Sequence, residues 1–332
     1  MTVLVAADGK ISDPTFTDLV EAVDHAPSKV RVCGKPSGPS SCTRDKGIHH
    51  SKFVLFSETN GDSDVVFETS ENAKSSTAAP HSGVMAYNNA VVVTGQPTLY
   101  DAYLTRFNAY MSGKAVSYAS ANDSVTKGYY FPREYDRTSP DRHTVMGLLN
   151  NVDCRAKNTS GGWGPDHLTS IHVVQSQWND ANLAKKLLSM DNQGCVVHIV
   201  RNKNYRTDDA EYRKVDSILE SCGNANGLTQ EIIDDHEGDG TAKLPYVHSK
   251  YLIVDGNYLG EANQQRLWTG SYNFTYGALR SNDETLLNVR DKGAYDAFQQ
   301  NFSALANLPT TVDGLSYRTT VQGGDIGNTP GC

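Results

Sequence analysis

VHSKYLIVD, residues 247–255, sets two polar side chains at alternate positions, His248 and Lys250, at the head of an apolar run that ends on Asp255. A strand alternates its side chains from face to face, so His248 and Lys250 share one face while Tyr251 to Val254 carry the strand into an interior. Almost the same phrase stands earlier, HHSKFVLF at 49–56, with His50 and Lys52 in the same relation. One such triplet occurs by chance in many proteins. Two of them, each opening an apolar run, indicate a duplicated unit.

The phrases around each motif repeat in the same order. TVLVAADGKISDPTFTDLVEAVDHAPSKVRVC from Thr2 and SIHVVQSQWNDANLAKKLLSMDNQGCVVHIV from Ser170 each read as strand, polar turn, amphipathic helix, strand. After the motifs come TSEN (69–72) and GSYN (270–273), then YNNAVVV (87–93) and SNDETLL (281–287), then helical segments with YDAY (100–103) and YDAF (295–298). Alternating strands and helices predict an α/β fold: two pseudo-symmetric lobes, each a mixed sheet flanked by helices. The irregular stretch between Gly113 and Asp166, with FPRE (131–134), SPD (139–141) and TSGGWGP (159–165), holds the division, set at residues 1–135 and 136–332. No linker would let either half float free, so one compact body is expected.

An imidazole beside an ammonium suits a phosphodiester. Lysine supplies a point charge for the anionic oxygens. Imidazole can attack phosphorus or protonate a leaving oxygen near neutral pH. Ser70, Asn72, Ser271 and Asn273 offer further donors for the same oxygens. His248, Lys250, Asp255, Gly270, Ser271 and Asn273 together resemble the His-x-Lys-x4-Asp and Gly-Ser-x-Asn signature of the phospholipase D superfamily. Through the duplication the resemblance spans nearly the whole chain. It implies that superfamily's fold and a metal-free, cofactor-free reaction in which one histidine becomes a phosphohistidine and the other protonates the leaving alcohol. The first half departs from the pattern at two positions: Ser57 matches Asp255, and Thr69 matches Gly270. An inactive first half is the alternative, against which stand His50, Lys52, Ser70 and Asn72.

Aligning the apolar runs sets Glu284 opposite Asn88, with Asp283 and Asn89 as rivals if the register slips by one. The resemblance implies that such residues hydrogen-bond the histidine of the opposite lobe: Glu284 would orient His50, and Asn88 would orient His248. A carboxylate fixes the tautomer and sharpens the nucleophile, whereas an amide suits a group that must give up its proton. His50 is therefore expected to be the nucleophile and His248 the general acid. The bland alternative makes Glu284 a solvated strand-end charge and Asn88 a turn residue. His172 and His198 read as core histidines. His49 should face away from His50, and His25, His81, His143, His167 and His236 carry no pattern. NTS at 158–160 is a chance-frequency glycosylation sequon.

The chain of 332 residues is long enough for two domains or one duplicated body. Apolar residues are 38% and charged ones 20%, with no run long enough to cross a membrane as a helix. A net charge of −8 argues against a protein built to coat nucleic acid. The expected substrate is therefore a phospholipid or other small phosphodiester, met through transient membrane-surface contact, with the protein a monomer. A nuclease is the alternative. EIIDDHEGDG (231–240) would repel a polyanion, and GYYFPRE (128–134) and GGWGP (161–165) would give apolar rim residues, unless they simply pack. Six cysteines (33, 42, 154, 195, 222 and 332) without a CxxC pair argue against zinc and suggest three disulfides in an oxidising compartment, reduced buried thiols being the alternative. Spacing favours Cys33–Cys42 and Cys195–Cys222, leaving Cys154–Cys332. MTVLVAADG has no basic or long apolar leader, so a secreted protein would already have lost its signal peptide. The second half is also similar to secreted actinobacterial phospholipase D-like proteins.

Overall fold

A computed structural model describes residues 1–6, 14–23, 25, 28–34, 38–72, 86–114, 121–122, 125–133, 143–204, 209–220, 228–235 and 244–322. The first half runs β1 (Thr2–Ala6), α1 (Pro14–Val23), β2 (Lys29–Cys33), β3 (Phe53–Thr59), β4 (Asp62–Thr69), β5 (Ala86–Tyr87), β6 (Ala90–Val93), α2 (Pro97–Ser112), β7 (Ala121–Asn122) and β8 (Thr126–Tyr130). Next come α3 (Thr144–Leu149), β9 (Ser170–Gln175), α4 (Ala181–Asn192), β10 (Val196–Asn202), α5 (Ala210–Leu219), β11 (Thr229–Ile233), β12 (Tyr246–Val247) and β13 (Tyr251–Tyr258). The chain finishes with β14 (Glu261–Gly270), α6 (Tyr276–Arg280), β15 (Thr285–Val289), α7 (Lys292–Ala306), β16 (Thr311–Val312), β17 (Leu315–Ser316) and β18 (Arg318–Gln322).

A nine-stranded mixed sheet, ordered β18-β11-β10-β9-β13-β14-β15-β8-β7, organises the molecule. β9, β10 and β11 are parallel, and β13 joins β9 antiparallel. Both faces are covered, which is why β9 and β13 are buried along their whole lengths. Leu252 and Val254 pack on one face with Leu183 and Leu187 of α4. Tyr251 and Ile253 pack on the other with Phe298 and Phe302 of α7 and with Val66, Val93 and Tyr103 of the first half. Asp180, Asp209 and Asp291 cap α4, α5 and α7 by accepting first-turn backbone N–H groups.

The α/β class holds, but the expected pair of equivalent sheets does not appear among the described residues. The first half forms a three-stranded sheet, β3-β4-β6, and a separate parallel pair, β1-β2. β8, which precedes the division at 135, pairs with β15 of the second half, and β7 pairs with β8 at the sheet edge. Residues around that division lie outside the described ones.

Cys33 and Cys42 are bonded as expected. Cys195 is bonded to Cys154, with their Cα atoms 4.6 Å apart, and so cannot pair with Cys222. The pairings Cys195–Cys222 and Cys154–Cys332 are thereby both overturned. Cys195 leads into β10, where the loop after α3 folds back against it, a proximity created by the sheet and invisible in the spacing. Cys222 and Cys332 lie outside the described residues.

The proposed apolar rim is also overturned. Tyr129, Tyr130 and Phe131 are buried, and Phe131 stacks on Tyr272 with centroids 4.4 Å apart. Trp163 is exposed, but its loop sits against Asp255, which a Cβ on Gly161 would meet at 2.5 Å. Asp255 is the far end of the strand from Lys250, about 17 Å away at strand rise. The acidic stretch is partly neutralised, since Glu231 pairs with Arg318 and Asp234 with Lys203. Residues 236–240 lie outside the described ones.

Candidate active site

Both His-x-Lys segments enter their strands across the seam between the halves. The His50 N–H donates to the Asp283 carbonyl, and the His248 N–H donates to the Tyr87 carbonyl, both at 2.9 Å. His49 bridges Asp283 and Val247 pairs with Tyr87 in the same parallel sense. Each motif is thus anchored by the segment that leads into β6 or β15 of the opposite half.

These anchors bring four side chains together. His50 Nδ1 lies 2.8 Å from Glu284 Oε2, and His248 Nδ1 lies 2.9 Å from Asn88 Oδ1. Both partners accept at Nδ1, which leaves each Nε2 for chemistry. The rivals in register have other duties. Asp283 accepts from Ser41 Oγ, the Cys42 N–H and Thr43 Oγ1, with His49 Nδ1 3.5 Å away. Asn89 donates to Thr269 Oγ1 and accepts from the Lys250 N–H. Lys52 and Lys250 fold their ammonium groups back onto the carbonyls of His50 and His248, at 2.6 and 2.5 Å.

Ser70 and Ser271 differ from expectation. Ser271 Oγ donates to Glu284 Oε2 at 2.6 Å, and Ser70 Oγ donates to Asn88 Oδ1 at 2.9 Å. Both serines are fully buried, so their hydroxyls hold the partners of the histidines and are not presented to a substrate. Asn273 is buried with its Oδ1 unpartnered, and Asn72 is half-buried. Asn158 of the sequon is buried and donates to the His167 carbonyl, which closes that site to a glycan.

The electrostatics are unequal. Burial lowers the pKa of His50; Glu284 opposes this and the two lysines reinforce it. Burial alone would raise Glu284, but His50, Lys52 and Ser271 outweigh it and hold the carboxyl below its usual range. The result is a neutral imidazole backed by a carboxylate. Lys250 is pushed well down by burial and by repulsion from Lys52. Two ammonium groups with one carboxylate between them form a site that an anion would stabilise. Among the described residues, Cys42, His49 and Asp283 cluster at metal-binding spacing, but the Cys42 sulfur is spent in its disulfide.

Two residues near the histidines carry no sequence signal: Thr285, which follows Glu284 and donates its N–H to Ser271 Oγ, and Glu68, to which Thr285 donates its hydroxyl.

No curated protein matches the chain. Residues 167–306 match the family model described as cardiolipin synthase, PLD-like domain. Among solved structures, phosphatidylserine synthase of Haemophilus influenzae Rd KW20 is similar over 91% of this chain and 69% of its own, at 11% identity and TM-score 0.50. Nuc of Salmonella typhimurium, a phospholipase D family member, is 17% identical over 55% of this chain and 93% of its own, with TM-score 0.33. NucT of Helicobacter pylori is 12% identical over 58% of this chain and 98% of its own, with TM-score 0.37. At such identities these likenesses concern fold alone. The matched stretch contains the second histidine–lysine motif with Glu284, and residues 167–306 form a phospholipase D-like domain.

Proposed function

We propose that the chain hydrolyses phosphodiesters through a covalent phosphohistidine, with His50 as nucleophile and His248 as general acid. The observation that carries this reading is the pairing of two histidines with unlike partners across one seam, a carboxylate on His50 and an amide on His248. His50 Nε2 attacks phosphorus while the bond to the leaving oxygen breaks, and protonated His248 delivers its Nε2 proton to that oxygen. Glu284 offsets the positive charge that His50 acquires in the adduct. Neutral His248 then takes a proton from water, whose oxygen attacks phosphorus and releases His50. Lys52 and Lys250 bind the non-bridging oxygens, exchanging their backbone carbonyl contacts for the anion.

The substrate in this reading is a phospholipid head group. The net charge of −8 disfavours a polyanion. Val54, Phe56 and Val92 stand 47, 44 and 55% exposed on the first-half sheet, whose β3 begins beside Lys52, and would give the transient contact a membrane surface needs. One chain holds both histidines and their partners, so a monomer suffices. The disulfides fit a secreted protein. No helix among the described residues is long and apolar enough to cross a membrane.

The test offers EDTA-treated protein mixed phospholipid vesicles and, separately, single- and double-stranded DNA and RNA. Head-group release should exceed nucleic-acid cleavage. The reverse ranking, weakened steeply by salt, would make the protein a nuclease. Activity lost to EDTA and restored by zinc, calcium or magnesium would overturn the mechanism.

A further inference from the structure

Behind the histidines lies a third carboxyl that the reaction above does not use. Glu68, near the end of β4, is fully buried. Its Oε1 accepts from Thr285 Oγ1 at 2.6 Å. Its Oε2 is buried without a hydrogen-bond partner, and the Tyr103 hydroxyl of α2 is the group that faces it. The Thr285 N–H donates to Ser271 Oγ at 3.0 Å, and Ser271 Oγ donates to Glu284 Oε2 at 2.6 Å. Glu68 is therefore joined to the partner of His50 through two hydroxyl-bearing residues.

The repeat makes this placement informative. Aligning TSEN with GSYN sets Glu68 opposite Thr269, and aligning Asn88 with Glu284 sets Asn89 opposite Thr285. Asn89 Nδ2 donates to Thr269 Oγ1 at 2.6 Å, the same contact made by Thr285 on Glu68. Across the seam a neutral hydroxyl fills the acceptor's place, so the fold requires an acceptor there and does not require a charge.

The charge count supplies a reason for the acid. With a phosphodiester monoanion bound, Lys52, Lys250 and the protonated His248 carry three positive charges against the one negative charge of Glu284, an excess of two. An ionised Glu68 would halve it. We propose that Glu68 is a positioning residue held as the neutral acid, which fixes Thr285 and the Ser271–Glu284–His50 chain while preserving the site's positive charge, and that its ionisation releases the substrate. Burial pushes the Glu68 carboxyl up to about 8; Thr285, Tyr103 and Lys52 pull it down and Glu284 pushes it up. The protonated form therefore prevails at neutral pH, and the loss falls on the alkaline side. The proposal rests on the phosphodiesterase reading.

The test titrates full-length protein with diethyl phosphate, whose single charge is constant across this range, by phosphorus NMR at stepped pH. Wild-type affinity should fall about tenfold as pH rises through the Glu68 transition, the order expected for one charge roughly 12 Å from the anion at an effective dielectric of about 20. Glu68→Gln keeps an acceptor for Thr285 and mimics the neutral acid, so its affinity should stay level there. In turnover, KM should lose its alkaline rise while kcat is unmoved. Lys250 is the rival source of an alkaline fall. If it were responsible, Glu68→Gln would fall at the same or a lower pH, because removing a carboxyl makes Lys250 easier to deprotonate, and the proposal would be overturned. Failure of wild type to bind at any pH would overturn the phosphodiesterase reading itself. Should Glu68→Gln not fold, infrared spectra of wild type must show a carboxylic acid band that persists at neutral pH and vanishes near pH 8; its absence would also overturn the proposal.

Discussion

Glu284→Gln exchanges one oxygen for an amide nitrogen, yet every group around that carboxylate is a donor. Oε2 accepts from His50 Nδ1 at 2.8 Å and from Ser271 Oγ at 2.6 Å, and Oε1 accepts from Asn282 Nδ2 at 3.2 Å. Asn282 cannot simply turn over, because its own Oδ1 accepts from the Ile48 N–H. The new NH2 must therefore face Asn282 or His50. Facing Asn282, it leaves a buried donor unpaired, at about 1–3 kcal/mol, and gives His50 a neutral acceptor in place of a charged one. Facing His50, it forces the proton onto Nε2 and removes the lone pair that attacks phosphorus. Either way the adduct should form about 10²–10⁴-fold more slowly. Single-turnover release of p-nitrophenolate from a phosphodiester measures this, with the adduct located by mass spectrometry after alkaline quenching. Nitrogen chemical shifts of His50 report the tautomer. A variant that is folded and forms the adduct at the wild-type rate would refute the orienting role of Glu284.

His248→Ala should retain slow adduct formation with p-nitrophenolate as leaving group, and the gap between good and poor leaving groups should widen by about 10²–10⁴-fold; an adduct mapped to His248 in wild type would reverse the two roles. His172 is pushed down to about 4 from its ordinary 6.5 by burial, stacked on Phe302, and its Nε2 has no acceptor. The unfolded chain takes up this proton first, so stability should fall by ~3 kcal/mol as pH drops from 6.5 towards 4, at about 1.36 kcal/mol per unit. Urea unfolding of wild type and His172→Gln across that window checks the slope, and equal slopes would count against it. Breaking Cys154–Cys195, which closes a loop of 41 residues, with Cys154→Ser and Cys195→Ser together should cost ~4 kcal/mol in the same assay; an unchanged midpoint would show that the bond constrains little.

The pairing of each histidine with its hydrogen-bond partner was legible in the sequence because it follows strand alternation. His248 and Lys250 sit on one face of an entering strand, and the repeat fixed which residues oppose them, so the Glu284 and Asn88 contacts followed from register. What escaped depends on distances that only the folded sheet creates. The partner of Cys195 comes from a loop outside its own half-motif. Tyr129 to Phe131 read equally well as a rim or a core, and became core because β8 is laid onto β15. Ser70 and Ser271 sat at the right positions, but alternation does not say whether a hydroxyl turns towards a ligand or towards the neighbouring carboxylate. Glu68 gave no signal, since nothing in a one-dimensional pattern shows that a strand-end glutamate will be sealed from water.

Because Asp283 and Tyr87 hold the backbone of the opposite half's histidines, the site is also a gauge of the joint between the halves. A slip of an ångström between them would lengthen the His50–Glu284 and His248–Asn88 contacts together, with neither half unfolded. Low concentrations of denaturant should therefore silence the protein before its strands melt, with both histidines lost in one step. On the proposed reaction, a change that loosens the contact between the halves would be a change in activity wherever on the seam it falls.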